Sequence, residues 1–368
     1  MKRGIKILSA IFFFLSVVIV IVYVAKRYLG DISPIILPPS QNTPVPKSTT
    51  EENVQMKLEV WVEGLNSPRD LEITPGGTIL VSQPSAGNVL SLPDKKVVIG
   101  NLNRPHGLAF RGGRLFIAEE ERLTRYSWNE EKKEATLDKV LFNLPKGGRH
   151  VTRSLVFDKN GKLFVSLGSS CDVCYENEPW LGSVIVTDEE GRDPRVFAKG
   201  LRNAVFLALN ESTNEVWSTE MGRDFLGDNL PPDEINILKD GKNYGWSICY
   251  GNKIHDSIFD KNQYVIDPCL TSEPPIYEIQ AHSAPLGLAF WKGDLLVSYH
   301  GSWNRSTPVG YKVVRLKLNG NKVVGEEEFL GGFINQGQVS GRPVDILIKN
   351  ENEIFISDDK KGVVYRLF

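Results

Sequence analysis

The sequence predicts an all-β chain: a six-bladed β-propeller held behind an N-terminal transmembrane anchor and a linker. Three observations predict it. One strand–turn–strand phrase recurs six times between residues 57 and 368. Most copies are followed by a further apolar strand, and no convincing amphipathic helix interrupts them. Before them stand an apolar N-terminal run and a proline-rich stretch. Short strands under a long internal period are the signature of radial repetition.

The chain begins with Lys2, Arg3 and Lys6, then an apolar run over residues 7–25 broken only by Ser9 and Ser16. Nineteen residues at helical rise span roughly 28 Å, about one hydrocarbon core. A cleaved signal peptide has a shorter apolar region and a small-residue cleavage site. Here Tyr23-Val24-Ala25 runs straight into Lys26-Arg27. Residues 1–27 therefore read as a signal anchor. The expected location is the cell membrane, single-pass, with the body extracellular or periplasmic, or secreted if the segment is cleaved. Residues 28–56 carry Pro34, Pro38, Pro39, Pro44 and Pro46 among Ser, Thr, Asn and Gln, the composition of an extended linker.

The propeller is read over residues 57–368. The phrases are Pro68–Ile73 with Thr78–Ser82, Pro105–Phe110 with Arg114–Ala118, Thr152–Phe157 with Lys162–Ser166, Asn203–Ala208 with Glu215–Ser218, Pro285–Phe290 with Asp294–Ser298, and Pro343–Ile348 with Glu353–Ser357. These 312 residues divide into six units of 52. The last unit ends on its third strand, Gly362–Leu367, and Leu58–Val62 is placed to supply a fourth and close the ring. Closure removes the edges that would otherwise template aggregation. The longest interval, from Asn203 to Pro285, is expected to carry decoration at the channel mouth.

Composition narrows the function. Lys and Arg number 43 against 45 Asp and Glu, a net charge of −2, without the basic surplus a general nucleic-acid binder needs. Among the four cysteines, Cys171 and Cys174 form a CxxC, and Cys249 and Cys269 stand apart. No second CxxC or His pair completes a zinc site. In an exported body the favoured reading is two disulfides, Cys171–Cys174 and Cys249–Cys269, each pinning a long loop.

Three of the five histidines fall at blade entrances or just after inner strands. His150, in Gly148-Arg149-His150-Val151-Thr152-Arg153, is flanked by like charge that favours its neutral form, as a general base requires. Arg202 and Arg342 stand at equivalent entrances, and His300 ends a second strand. Cationic groups converging on one mouth suit a planar polyanion, because guanidinium matches carboxylates bidentately. Asp233-Glu234, which opens a third strand read over Asp233–Leu238, follows Gly222-Arg223 and Asp228 of a Pro- and Gly-rich loop and resembles an oxygen-rich calcium environment. No phosphate loop, GxSxG or HExxH is present.

These segments together resemble the pyrroloquinoline quinone (PQQ)-dependent soluble aldose sugar/glucose dehydrogenase family, most closely its sorbosone-dehydrogenase-like branch. The likeness rests on His150 with Ser154-Leu-Val-Phe157, Gly168-Ser-Ser-Cys-Asp-Val-Cys174, Gly200-Leu-Arg-Asn203, Glu220-Met-Gly222, Asp233-Glu-Ile-Asn236, Asn243-Tyr-Gly-Trp246, His300-Gly-Ser-Trp-Asn-Arg305 and Gly341-Arg-Pro-Val-Asp345. It implies oxidation of an aldose at the anomeric hydroxyl to the lactone, with PQQ and Ca2+ as cofactors and an external electron acceptor. His150 matches the catalytic base. Arg202 and Asn203 match residues touching the quinone, and Gln83 a residue touching PQQ. Gly222 and Arg223 match carbonyl ligands of the active-site calcium; Glu234 and Tyr244 match ligands of a structural one. The chain departs from glucose dehydrogenases twice: His300 stands where they carry Lys, and of their two last-blade arginines only Arg342 aligns, the second falling on Val344. Two other readings compete, a calcium-dependent propeller lactonase and a non-catalytic surface propeller that binds sugar or protein.

Overall fold

The computed structural model describes residues 47–48 and 56–368, save Gly147. The expected anchor lies outside the described residues, and among the described residues no helix is long and apolar enough to cross a membrane. Six antiparallel sheets, the blades, follow one another along the chain. Their innermost strands are Leu71–Ile73, Leu108–Arg111, Leu155–Phe157, Leu207–Asn210, Pro285–Trp291 and Pro343–Asn350. Each touches the next, and the sixth touches the first, so the ring is closed. Leu58–Glu63 pairs antiparallel with Val363–Leu367 as the fourth strand of blade 6, which is the closure the sequence predicts. Part of the expected linker is also engaged: Lys47–Ser48 pairs with Leu330 and Gly331 on the outer strand of blade 5.

The repeat exists because a strand alternates its side chains. In Ile79-Leu80-Val81, the flanking residues face blade 6 and the middle one faces blade 2. The same alternation gives six hydrophobic clusters, one between each pair of successive blades. Burying each Val, Leu or Ile in them contributes about 1.5–3 kcal/mol relative to exposure. An apolar residue on both faces of a strand is thus a requirement of the ring.

The inner strand of blade 4 begins at Leu207, and Ala204, Val205 and Phe206 are buried in a non-strand approach after the lead-in at Asn203. Asp233-Glu234 opens the third strand of that blade, Asp233–Ile237, where the sequence reads one. Both predicted disulfides are formed. Cys249–Cys269 closes a 20-residue excursion on the long insertion of blade 4, whereas Cys171–Cys174 spans only three positions and staples a turn.

Candidate active site at the channel mouth

The loops that enter the inner strands, and those that join second to third strands, meet around a cavity of about 560 Å³. It is lined by His150 from blade 3, Arg202, Asn203 and Gly222 from blade 4, His300 from blade 5 and Arg342 from blade 6. Five separate stretches of chain therefore deliver six of the sequence-predicted residues to one hollow.

His150 is positioned through Ser169. The Ser169 hydroxyl donates to the Cys171 carbonyl at 2.7 Å, so toward the imidazole it acts as an acceptor. His150 Nδ1 lies 2.9 Å from that oxygen and 3.2 Å from the Ser169 carbonyl. Nδ1 consequently carries the proton and Nε2 keeps its lone pair. Burial, then the charges of Arg202 and Arg149, push the His150 pKa down to about 3. The expected partner Arg153 plays another part: it is fully buried and donates to the carbonyls of His150, Thr152 and Pro145. Arg202 supplies the like charge instead.

Arg202 is fixed by Asp172, with 2.7 Å between guanidinium and carboxylate, and by Asp224 at 3.2 Å. Arg149 reaches Asp224 at 2.6 Å and keeps a 39% exposed side chain. Burial pushes Asp172 up, but Arg202, the Asp224 amide and Arg149 together hold the carboxyl below its usual range. Asn203 Oδ1 is buried and lacks a hydrogen-bond partner among the described residues. Its neighbour Gly168 leaves no room: a Cβ there would lie 2.5 Å from His150 Cβ and 2.8 Å from Asn203 Oδ1.

On the far side, His300 bridges blades 5 and 6. Its Nε2 meets Asp359 at 2.9 Å and its Nδ1 meets the Arg342 guanidinium at 3.2 Å. Arg342 can only donate, so Nδ1 is an acceptor and Nε2–H donates to Asp359. His300 is therefore neutral at the position where the resemblance puts a lysine. Burial lowers its pKa, against the pull of Asp359. The Arg342 guanidinium also donates to the Gly301 and Ser302 carbonyls and the Tyr311 hydroxyl.

The donor sets suit the implied cofactors. Cationic Arg149, Arg202 and Arg342 line the cavity together with Asp224, Asp233 and Asn203, whose buried side-chain oxygen is unpartnered among the described residues. The carbonyls of Gly222 and Arg223 accept no hydrogen bond among the described residues, which leaves them for a hard cation. A Cβ on Gly222 would strike Pro231 Cγ at 2.7 Å, so the close turn requires glycine. Strand alternation sends Asp233 to this cavity and its neighbour Glu234 to a second, small one, lined also by Glu220, Arg223 and Tyr244. Burial raises both carboxyls to about 7, a cost that a bound cation would offset. The Tyr244 hydroxyl donates to the Ile237 carbonyl at 2.6 Å, leaving its own carbonyl as the atom to offer a metal.

Gln83 is not brought to the cavity. Its side chain accepts from the Asn66 amide and donates to Asn88. Of the anionic partners, Asp224 and Asp359 carry no signal in the sequence, whereas Asp172 and the anchoring Ser169 stand in the motif around Cys171 without a role of their own.

Residues 50–367 match the family described as TrAA12-like. The chain belongs to that family. Among curated relatives of this TrAA12-like protein, an uncharacterized protein of Borreliella burgdorferi is 29% identical over 345 residues, 85% of this chain and 89% of that one. The aldose sugar dehydrogenase YliI of Escherichia coli K12 is 26% identical over 212 residues, covering 52% of this chain and 54% of that one. Among solved structures, a Trichoderma reesei enzyme of carbohydrate-active family AA12 superposes with a TM-score of 0.76 at 21% identity, covering 89% of this chain and 98% of that one. The holo PQQ domain of pyranose dehydrogenase from Coprinopsis cinerea gives 0.74 at 18%, covering 90% and 100%. The resemblance read in the sequence stands at the level of the family, and nothing selects its sorbosone-dehydrogenase-like branch.

Proposed function

We propose that this TrAA12-like protein is a PQQ-dependent sugar dehydrogenase that oxidises an aldose at the anomeric hydroxyl to the lactone and passes the electrons to an external acceptor. The observation that carries the reading is His150: a half-buried, neutral imidazole with its proton fixed on Nδ1, its lone pair available and two arginines beside it. When bound, PQQ supplies the two-electron hydride acceptor and calcium the Lewis acid that polarises it. His150 Nε2 takes the proton of the anomeric hydroxyl. Ser169 keeps the ring in the right tautomer, and the Arg202–Asp172 pair holds the imidazole's neighbourhood positive. Asn203 and Arg202 would hold PQQ, and the carbonyls of Gly222 and Arg223 would hold the calcium ion. Arg342, His300 and Asp359 form a fixed wall on the opposite side.

The test is reconstitution. Protein incubated with PQQ and Ca2+ should oxidise aldoses with a dye acceptor, and His150→Ala should lose about 10²–10⁴-fold of that rate. Hydrolysis of a lactone with calcium alone, indifferent to PQQ, would instead identify a lactonase. For location, we propose that residues 7–25 hold the body at the outer face of the cell membrane. Membrane fractionation of the full chain against one lacking residues 1–27 checks it, and equal release of both would refute it.

A further inference from the structure

Exposed apolar side chains gather on one part of the molecule. Among the described residues fourteen large hydrophobic side chains are exposed, and six of them, Ile254, Ile258, Tyr264, Val265, Ile266 and Leu270, lie on or next to the excursion closed by Cys249–Cys269. Val265 is fully exposed and Ile266 is 70% exposed. The excursion is built to hold them there. The buried Asp260 carboxylate accepts from the Tyr264 hydroxyl at 2.7 Å, the Tyr175 hydroxyl at 3.1 Å and the Asn262 side chain at 2.8 Å, and lies 3.0 Å from His255 Nε2. A disulfide and a carboxylate hub thus fix the loop while its aliphatic side chains stay in solvent. Single exposed apolar residues need no explanation, but a cluster held out in this way marks a binding surface.

Strand register places this patch and the entry of the N-terminal segment at the same end of the ring. His300 of the cavity follows Tyr299, which pairs with Lys312; the next residue, Val313, pairs with Leu330, and Leu330 with Ser48. Lys47–Ser48 therefore joins the body at the cavity end of blade 5. Tyr175, bound to Asp260, follows Cys174 of the stapled turn whose Asp172 holds Arg202 of the cavity, so the excursion also stands at the cavity end. The nineteen residues 28–46 of the expected linker span at most about 65 Å when fully extended. A body tethered within that reach of a bilayer meets it at an effective concentration of about millimolar, so a small apolar patch suffices for docking.

We propose that this excursion docks on the lipid surface of the membrane that residues 7–25 enter, and so turns the cavity rim of blades 3 and 4 toward the bilayer. The proposal rests on the membrane location proposed above. The side chains are those of an interfacial loop. Val265 and Ile266 supply aliphatic bulk for the boundary between headgroups and acyl chains. Tyr264 and Tyr175, both exposed, have apolar rings and polar tips that suit the headgroup level. Lys253 and Lys261 flank them, and their ammonium groups hold the Leu270 and Ser257 carbonyls at 2.7 and 2.8 Å, within reach of anionic headgroups. The exposed acid of the segment, Asp267, accepts from the Cys269 amide at 2.8 Å. A side chain as exposed as Val265 protrudes, which suits insertion among lipids, and the tether puts a bilayer within its reach.

The test uses the full chain in nanodiscs of phosphatidylcholine and phosphatidylglycerol. All four cysteines are in disulfides, so Val265→Cys gives one thiol for an environment-sensitive dye. The control is Val324→Cys, 64% exposed on the outer strand of blade 5 at the end away from the cavity. A quencher carried on the lipid tails should quench the dye at 265 and leave the dye at 324 bright. Ile266→Asp in the chain labelled at 265 should lower the ratio of docked to undocked molecules at least about tenfold, the fold-change equivalent to burying one Ile side chain. Equal emission at the two positions, or quenching at 265 that Ile266→Asp leaves unchanged, overturns the proposal, leaves the patch to a protein partner and does not touch the anchor reading. Should the full chain fail to enter nanodiscs, the membrane location falls, and the same labelled proteins are mixed with vesicles of that lipid composition. Quenching at 265 alone then supports lipid docking, and no quenching at 265 overturns it.

Discussion

Gly168→Ala should uncouple catalysis from folding. The added Cβ would sit 2.5 Å from His150 Cβ, whereas ordinary contact begins at 3.4 Å, so imidazole or backbone must give by 3.4 − 2.5 = 0.9 Å. It would also press Asn203 Oδ1 from 2.8 Å. A misplacement of about 1 Å in a catalytic group costs about 10²-fold in rate, equivalent to about 2.7 kcal/mol of barrier. The loss should fall on kcat, because the residue touches the base and its neighbour Asn203. The matched control is Gly325→Ala, whose Cβ would meet only Lys317 side-chain carbons at 3.9 Å. The assay is steady-state dye reduction by protein loaded with PQQ and Ca2+, with circular dichroism confirming that the variant keeps its fold. A folded Gly168→Ala protein within about twofold of the parent rate would refute the placement of His150 at the reacting centre.

Other outcomes follow from the same geometry. Because burial and two arginines hold the His150 pKa near 3, the acid limb of kcat/KM should lie well below the histidine's ordinary 6.5, and Arg202→Ala should move it to higher pH; a limb near 6.5 in the parent would contradict the assignment. The same lowered pKa means the folded state binds fewer protons than the unfolded one, so the His150 contribution to stability is complete above about 6.5 and is lost as pH falls from there toward 3. Denaturant titrations of the parent and His150→Ala should therefore converge as pH drops through that window. Replacing Cys249 and Cys269 by Ala should cost about 3 kcal/mol, from the 20-residue loop they close, measured as a lower denaturation midpoint. Deleting residues 56–63 removes the partner of Val363–Leu367 and should give an aggregating ring on size-exclusion chromatography, where a monodisperse product would refute closure by that strand.

The ring was legible because its physics is local. Two-faced apolar strands and their turns recur within a few residues, and even the closing strand Leu58–Glu63 announced itself by a missing fourth strand at the C-terminus. The site was legible where a residue type is rare, as with His150 and Arg202, and less so where its role depends on partners. Asp172, Asp224 and Asp359 are ordinary acids in their own loops; only the folded loops of blades 3 and 4 bring the first two to Arg202, and the packing of blade 6 on blade 5 brings the third to His300. The apolar run after Asn203 does not show where the strand starts, because Ala204-Val205-Phe206 is apolar for burial and lies outside the strand. Arg153 and His150 are three residues apart, yet one lies buried beneath the loop and the other at the cavity, a distinction sequence spacing does not encode.

The central claim is that a neutral His150 draws a proton from an aldose beside bound PQQ. The most direct measurement is the absorbance spectrum of purified protein after incubation with PQQ and Ca2+ and removal of excess cofactor, followed by addition of aldose without any acceptor. The account predicts a retained quinone spectrum that converts to the reduced form on adding sugar, and that stays oxidised in His150→Ala. A protein that retains no PQQ, or whose bound quinone is reduced equally fast in His150→Ala, would contradict it.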